Sequence, residues 1–155
     1  MTKSVFKLFA LALFVLAPMA HADDGSIVTT TVEGTFEDTA SAVKDAIIGK
    51  GINIAHVLPA SDMLHRTGKD FGYDKDPYGN AEIYEFCSAA ISQKLARIDP
   101  ANIVLCPFTI GVYTLPDNPN EVHITYKIPT GKPGTEDAIK EIEALLSGIV
   151  EDASW

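Results

Sequence analysis

The chain has 155 residues, 46% of them hydrophobic, and its 21 acidic against 12 basic side chains give a formal charge of −9. That length suits one domain with a real core. Its acidity repels phosphate backbones and anionic lipid, which argues against nucleic acid and membrane surfaces as partners.

The chain opens with Lys3 and Lys7, continues with an apolar run from Leu8 to Met19, and reaches Ala20-His21-Ala22 ahead of Asp23-Asp24. A basic start, about a dozen apolar residues and a small-x-small site describe a secretory signal peptide, too short for a membrane span. Cleavage is expected after Ala22, so that residues 1–22 are removed and residues 23–155 form a single periplasmic domain. Loss of Lys3 and Lys7 takes the formal charge from −9 to −11. The exported chain keeps Met63 as its last methionine, which argues against a Met-rich copper carrier needing several soft thioethers. Its two cysteines, Cys87 and Cys106, meet an oxidising compartment, where a disulfide is expected.

Ile27 to Glu33 alternates, Val28, Thr30 and Val32 against Thr29, Thr31 and Glu33, which predicts a half-buried strand. Gly34 breaks it and Thr35 is placed to cap a helix with Glu37 and Asp38 in its first turn and Phe36, Ala40, Val43 and Ile47 along one side. Gly49-Lys50-Gly51 is the stop. A second strand, Ile52 to Leu58, puts Ile52, Ile54, His56 and Leu58 on one face and ends at Pro59. Between Ala60 and Asn80 there is a brief helical possibility, Ser61 capping Asp62 to Arg66, and then Gly68, Gly72, Pro77 and Gly79. A glycine-punctuated connection of that length inside a small domain reads as a functional loop or lid.

Glu82 to Cys87 predicts a third strand, and Ser88 caps a helix carrying Ile91, Leu95 and Ile98, closed by Asp99-Pro100. Ile103 to Leu115 predicts a long fourth strand interrupted near Pro107. A five-residue loop, Pro116 to Asn120, joins it to a fifth strand in which Val122, Ile124, Tyr126 and Ile128 alternate with Glu121, His123, Thr125 and Lys127. Thr135 caps a last helix with Ala138, Ile142, Leu145 and Ile149 on one side. The order β-α-β-β-α-β-β-α, with one apolar stripe per helix, gives an α+β two-layer sandwich: a mainly antiparallel sheet of about five strands with helices on one face.

Phe86-Cys87-Ser88-Ala89, Asp99-Pro100-x-Asn102-Ile103, Leu105-Cys106-Pro107-Phe108-x-Ile110-x-Val112-Tyr113 and Met63-Leu64-x-Arg66-Thr67-Gly68 together resemble an exported bacterial branch of the domain of unknown function 302 family, over nearly the whole exported chain. The resemblance implies a compact α+β domain, often a homodimer, found alone or beside redox and sulfur-related modules, and it implies no settled activity or substrate. Many relatives lack both cysteines, so it also implies that the fold does not depend on them.

Three constellations carry possible chemistry. Cys87 and Cys106 read as a structural disulfide closing a loop of about 20 residues, worth about 3 kcal/mol. Strand parity resists this, since Cys106 falls with Phe108, Ile110 and Val112 while Cys87 falls opposite Phe86. The alternative is redox cycling by a Cys87 thiol activated at a helix start, although the Cys-x-x-Cys spacing of dedicated oxidoreductases is missing. His56, Met63 and His65 are the second. A histidine among Ile52, Ile54 and Leu58 reads as a core residue bonded to backbone; the alternative is that His56, with Met63, His65 or a cysteine, ligates haem or a metal ion beneath the 60–80 loop. His123 reads as a solvated residue on a polar strand face. Third, Asp74-x-Asp76-x-Tyr78-Gly79 with Glu85 imitates a calcium loop, but Tyr78, Pro77 and the following strand spoil it. No nucleophile elbow, phosphate loop or dinucleotide fingerprint is present, so ordinary enzyme classes have no foothold. The sequence thus favours an exported binding or accessory domain of unknown ligand using the groove between the 60–80 loop and the Cys87/Cys106 region. A periplasmic redox or haem/metal-binding protein built on Cys87, Cys106 and His56 is the alternative.

Overall fold

The computed structural model describes residues 27–154; the expected signal peptide, residues 1–22, lies outside them. Strand β1 (Ile27–Glu33) leads into helix α1 (Phe36–Gly49), whose first turn is capped by Thr35: its hydroxyl oxygen accepts the Asp38 N–H at 3.1 Å. The helix stops where Gly51 takes a φ of +72°, a left-handed conformation that a side chain resists. Strand β2 (Ile54–Pro59) runs straight into helix α2 (Ala60–Thr67), followed by a 3-10 turn over Gly68–Phe71. Strand β3 (Ala81–Phe86), helix α3 (Ala89–Ile98), a second 3-10 turn (Pro100–Leu105), strands β4 (Phe108–Leu115) and β5 (Asn118–Lys127) and helix α4 (Glu136–Ala153) complete the order.

All neighbours in the five-stranded sheet are antiparallel, in the order β1-β5-β4-β3-β2. The α+β two-layer architecture expected from the sequence is the one observed. Helices α1, α3 and α4 cover one face. Val43, Ile47, Leu95, Ile142, Leu146 and Ile149 from the helices meet Tyr84, Phe86, Ile110, Val112, Val122 and Ile124 from the strands, and none of these exceeds 1% exposure. Burying each such side chain is worth about 1.5–3 kcal/mol, so this face holds most of the fold's stability. Near its rim the Tyr84 hydroxyl donates to the Glu82 carboxylate, and Lys44 of α1 lies 3.6 Å from that carboxylate and 5.4 Å above the Tyr84 ring.

The structure departs from the sequence reading at several places; at one of them Thr135 heads α4 without capping it, its hydroxyl donating instead to the Lys132 carbonyl at 2.6 Å. Residues Ile103 to Leu105 belong to a 3-10 turn and not to the fourth strand, because Asp99 accepts the Ala101 N–H at 2.8 Å and buried Asn102 ties the turn to the Leu95 carbonyl at 3.0 Å and the Lys132 N–H at 3.2 Å. The β4–β5 connection is tighter than five residues: Leu115 already pairs with Asn118 across a two-residue Pro116-Asp117 turn, with a register shift absorbing the difference. In β2, Ile54 pairs with Phe86 but His56 with Glu85, so a bulge at Ala55 reverses the alternation. Ile54 and Val57 therefore point toward the helices, and His56 and Leu58 toward the opposite face. Ser61 does not cap α2, which starts at Ala60; its hydroxyl donates to the Ala81 carbonyl at 3.4 Å and so pins the helix to β3. In α4 the residue sealed in the core is Leu146, one position beyond Leu145, which is only partly buried.

Candidate functional site

The face of the sheet away from α1, α3 and α4 is built from the other residues of the same alternation: Ile83, Thr109, Gly111, Tyr113, His123, Thr125 and Lys127. Helix α2 lies against part of it. Because α2 follows β2 without a linker, Pro59 and Ala60 hold its first turn beside β3, and Ala60 is buried. The segment beyond α2 is anchored at its far end, where the Gly79 N–H reaches the Thr114 carbonyl at 2.9 Å and the Asn80 N–H reaches the Thr114 hydroxyl at 3.0 Å. A Cβ at Gly79 would stand 2.9 Å from that hydroxyl oxygen, so this approach requires glycine.

Between α2 and the sheet is a cavity of about 370 Å³. Its floor is Ile83, Gly111 and Thr125, successive neighbours across β3, β4 and β5. Leu58, Ala60, Met63 and Leu64 form one wall. Along β4 the cavity runs from Tyr113 to Thr109; Tyr78 closes the first end and Lys127 and Ile27 flank the second. Glu82 contributes backbone to this lining, since its carboxylate is on the helix side with Tyr84 and Lys44. Thr125 is fully engaged, its hydroxyl accepting from Thr29 at 3.0 Å and donating to the Val28 carbonyl at 3.0 Å.

The Tyr end continues into an aromatic row. The Tyr78 and Tyr113 rings are tilted with centroids 5.2 Å apart, and His123 stacks on Tyr113 at 4.7 Å and 25°. His123 is not solvated as its place in the alternation suggests: its side chain is 13% exposed, with Nδ1 3.0 Å from the Thr31 hydroxyl and Nε2 3.3 Å from the Glu121 carboxylate. That last contact has ion-pair distance without hydrogen-bond alignment, and Nε2 has no hydrogen-bond partner. Alternation identifies a face; it does not say whether a ring on the next strand covers it.

Cys87 and Cys106 come together at disulfide distance, Cα atoms 5.6 Å apart. Parity fails there because both residues lie just outside their strands, where backbone direction is no longer fixed by pleating. The pair joins the Phe86 end of β3 to the Phe108 end of β4, and neither cysteine lines the cavity. A disulfide hints at an oxidising compartment, and bonded sulfurs are unavailable as thiolate ligands. Met63 lines the cavity, but His65 is turned to Asp76, 2.8 Å from Nδ1 to the carboxylate, and His56 stands exposed on the bulged edge strand outside it. Among the described residues no group of three His, Cys, Asp or Glu is placed to hold a metal ion; Met63 and His65 line a second, outer pocket together with Leu58 and Asp62, while His56 and the cysteine pair line neither that pocket nor the cavity.

Residues 28–153 match the family described as Domain of unknown function DUF302. The chain belongs to the DUF302 family. The match covers the whole DUF302 sheet and its helices, from β1 to the last turn of α4. A crystal structure of an uncharacterized conserved DUF302 protein from Bacillus stearothermophilus aligns with a TM-score of 0.68 at 15% identity, over 82% of this chain and 97% of that one. At that identity the likeness concerns the fold alone. No curated protein matches the chain.

The residues that sequence reasoning passed over are Gly111, Tyr78 and Tyr113. One signal for the first was available: an isolated glycine between Ile110 and Val112 in a central strand marks a bulge or a close approach to the backbone.

Proposed function

We propose that this DUF302 domain is an exported binding domain that works in the periplasm and holds a small, largely apolar ligand between α2 and the open face of its sheet. The observation that carries this reading is the cavity over Gly111. Its volume, about 370 Å³, falls within the range of small-molecule sites, and its lining has the usual character of such sites, apolar with few polar groups. Gly111 has no positive φ to require glycine, and a strand-interior glycine costs about 0.5–1 kcal/mol relative to alanine; a Cβ there would stand 3.2 Å from the Thr125 methyl and rise into the cavity, and glycine avoids both. The Gly111→Val substitution tests the reading. In the native protein purified from periplasm, extraction and mass spectrometry are expected to release a bound small molecule, and the valine variant, still folded, is expected to carry none. Equal occupancy in the two proteins would overturn the assignment. Export is supported by the basic and apolar opening and by the cysteine pair; a periplasmic form beginning at Asp23 is the expected result of N-terminal sequencing.

One observation favours self-association as well. Among the described residues the edge strand β1 pairs only with β5; it has no bulge, lysine or proline, and contains Val28-Thr29-Thr30-Thr31-Val32, which reads alike in both directions. Antiparallel pairing of two copies about Thr30 would set Thr29 opposite Thr31 and Val28 opposite Val32, matched cross-strand pairs on an edge that none of the described residues blunts. Light scattering is expected to give twice the chain mass, falling to one on the paired changes Thr29→Lys and Thr31→Lys; a monomer throughout would dispose of this interface.

A further inference from the structure

We infer that the ligand of this cavity is a flat aromatic anion, an arene carboxylate or sulfonate, lying over Gly111 with its negative group at Lys127. The inference rests on the binding reading above and gives it a ligand class. Shape is the first argument. Ile83, Gly111 and Thr125 sit side by side across three strands, so the missing side chain at Gly111 leaves a shallow trough beside Ile83, narrowed on its other side by the Thr125 methyl, which stands 3.2 Å from where a Cβ on Gly111 would be. A ring lying along the strand fits such a trough. Its length runs from the tilted Tyr78 and Tyr113 rings to Lys127.

Chemistry is the second argument. Tyr rings prefer aromatic neighbours in offset or edge-on arrangements, and the Met63 thioether in the wall makes favourable contacts with ring edges. Charge is the third. The protein is acidic, with a formal charge of −9, yet the charged side chain presented along this lining is a lysine. Glu82 reaches the cavity through its backbone while its carboxylate is held on the other face by Tyr84 and Lys44, and Glu85, on the open face of β3, is not part of the lining. The hydroxyl of Thr125 is already engaged on both sides. An apolar body with one anionic end therefore satisfies the cavity, whereas a cation would face Lys127 and a polar sugar would leave its hydroxyls unpaired.

The full exported chain is titrated by NMR with 2-naphthoate, with its neutral counterpart 2-naphthylmethanol and with 2-naphthylmethylammonium. Naphthoate is expected to bind most tightly and to shift the Gly111 and Thr125 amides. The Lys127→Gln variant is expected to weaken naphthoate about five-fold, the loss of one exposed charge pair, and to leave the alcohol unchanged. Gly111→Val is expected to abolish binding of both. If the alcohol or the ammonium compound binds as well as naphthoate, or if Lys127→Gln changes nothing, the ligand class is wrong and the cavity reading survives. If no probe shifts Gly111, both fall.

Discussion

On the helix-covered side of the sheet, Tyr84, Phe86, Ile110, Val112, Val122 and Ile124 are closed off from solvent by three helices. On the opposite side the same strands present Ile83, Thr109, Gly111, Tyr113, His123 and Thr125, covered only in part by the eight residues of α2. One alternating sequence thus serves two surfaces with different demands. The first is packed to exclude everything, and its residues are large and branched. The second sets Gly111 between Ile83 and Thr125 on its floor, with Leu58, Met63, Leu64 and Tyr78 standing around it. The difference teaches that the packed core and the cavity lining are carried by alternate residues of the same strands, so that substitutions one position apart are expected to act on different properties: stability on one side and the proposed binding on the other.

The largest effect is expected from the closed side. Phe86→Ala removes a fully buried ring and should cost about 3–5 kcal/mol in denaturant unfolding; a loss below about 1 kcal/mol would mean that the helix layer is not the main core. Next comes the clamp at the far end of β3 and β4. Replacing Cys87 and Cys106 together by serine should cost about 3 kcal/mol, with the amide spectrum around Gly111 unchanged because the pair does not line the cavity; a shift there would join regions that we have separated. A pH effect follows from Tyr84, whose phenol is pushed well above its usual value of 10.0, first by burial, then by its hydrogen bond to Glu82 and by the charge of that carboxylate. The folded state keeps this proton where the unfolded chain releases it, so the unfolded state binds fewer protons and stability falls as pH rises above about 10. Tyr84→Phe should flatten that alkaline decline in a urea series across pH 9 to 11. The smallest effect belongs to the open side: Met63→Ala, at a residue 39% exposed, should cost less than about 1 kcal/mol while weakening aromatic probes.

Much of the closed side was legible in the sequence, because periodicity reports which residues share a face. Ala40, Val43 and Ile47 of α1, and Ile110, Val112, Val122 and Ile124 of the hairpin, stand where their spacing places them. The misreadings occur where one inserted residue or one side-chain contact overrides the period. Ala55 bulges and sends His56 to the open side; Asp99 and Asn102 fold Ile103 to Leu105 into a turn that alternation alone would extend as strand. The family resemblance was carried by residues of β3, β4, α2 and the turn between α3 and β4, and it holds for the family. The cavity was harder to see because its floor is lowest where a side chain is absent, and its lining comes from segments far apart in the chain, Ala60 to Leu64 and Gly111 to Tyr113, that only the sheet brings together. His123 was misplaced for the same reason, since its cover, Tyr113, lies on a neighbouring strand.

The absence of a linker between β2 and α2 would govern how the proposed ligand enters or leaves. Pro59 ends the strand and Ala60 begins the helix, so the cavity wall has no hinge of its own and swings only as far as the outermost strand yields. That strand is hydrogen-bonded on one side and already irregular at Ala55. Exchange of the proposed ligand would therefore be tied to breathing of a sheet margin, and whichever amide hydrogen of Val57 and Leu58 faces β3 should trade with solvent more slowly once the cavity is filled.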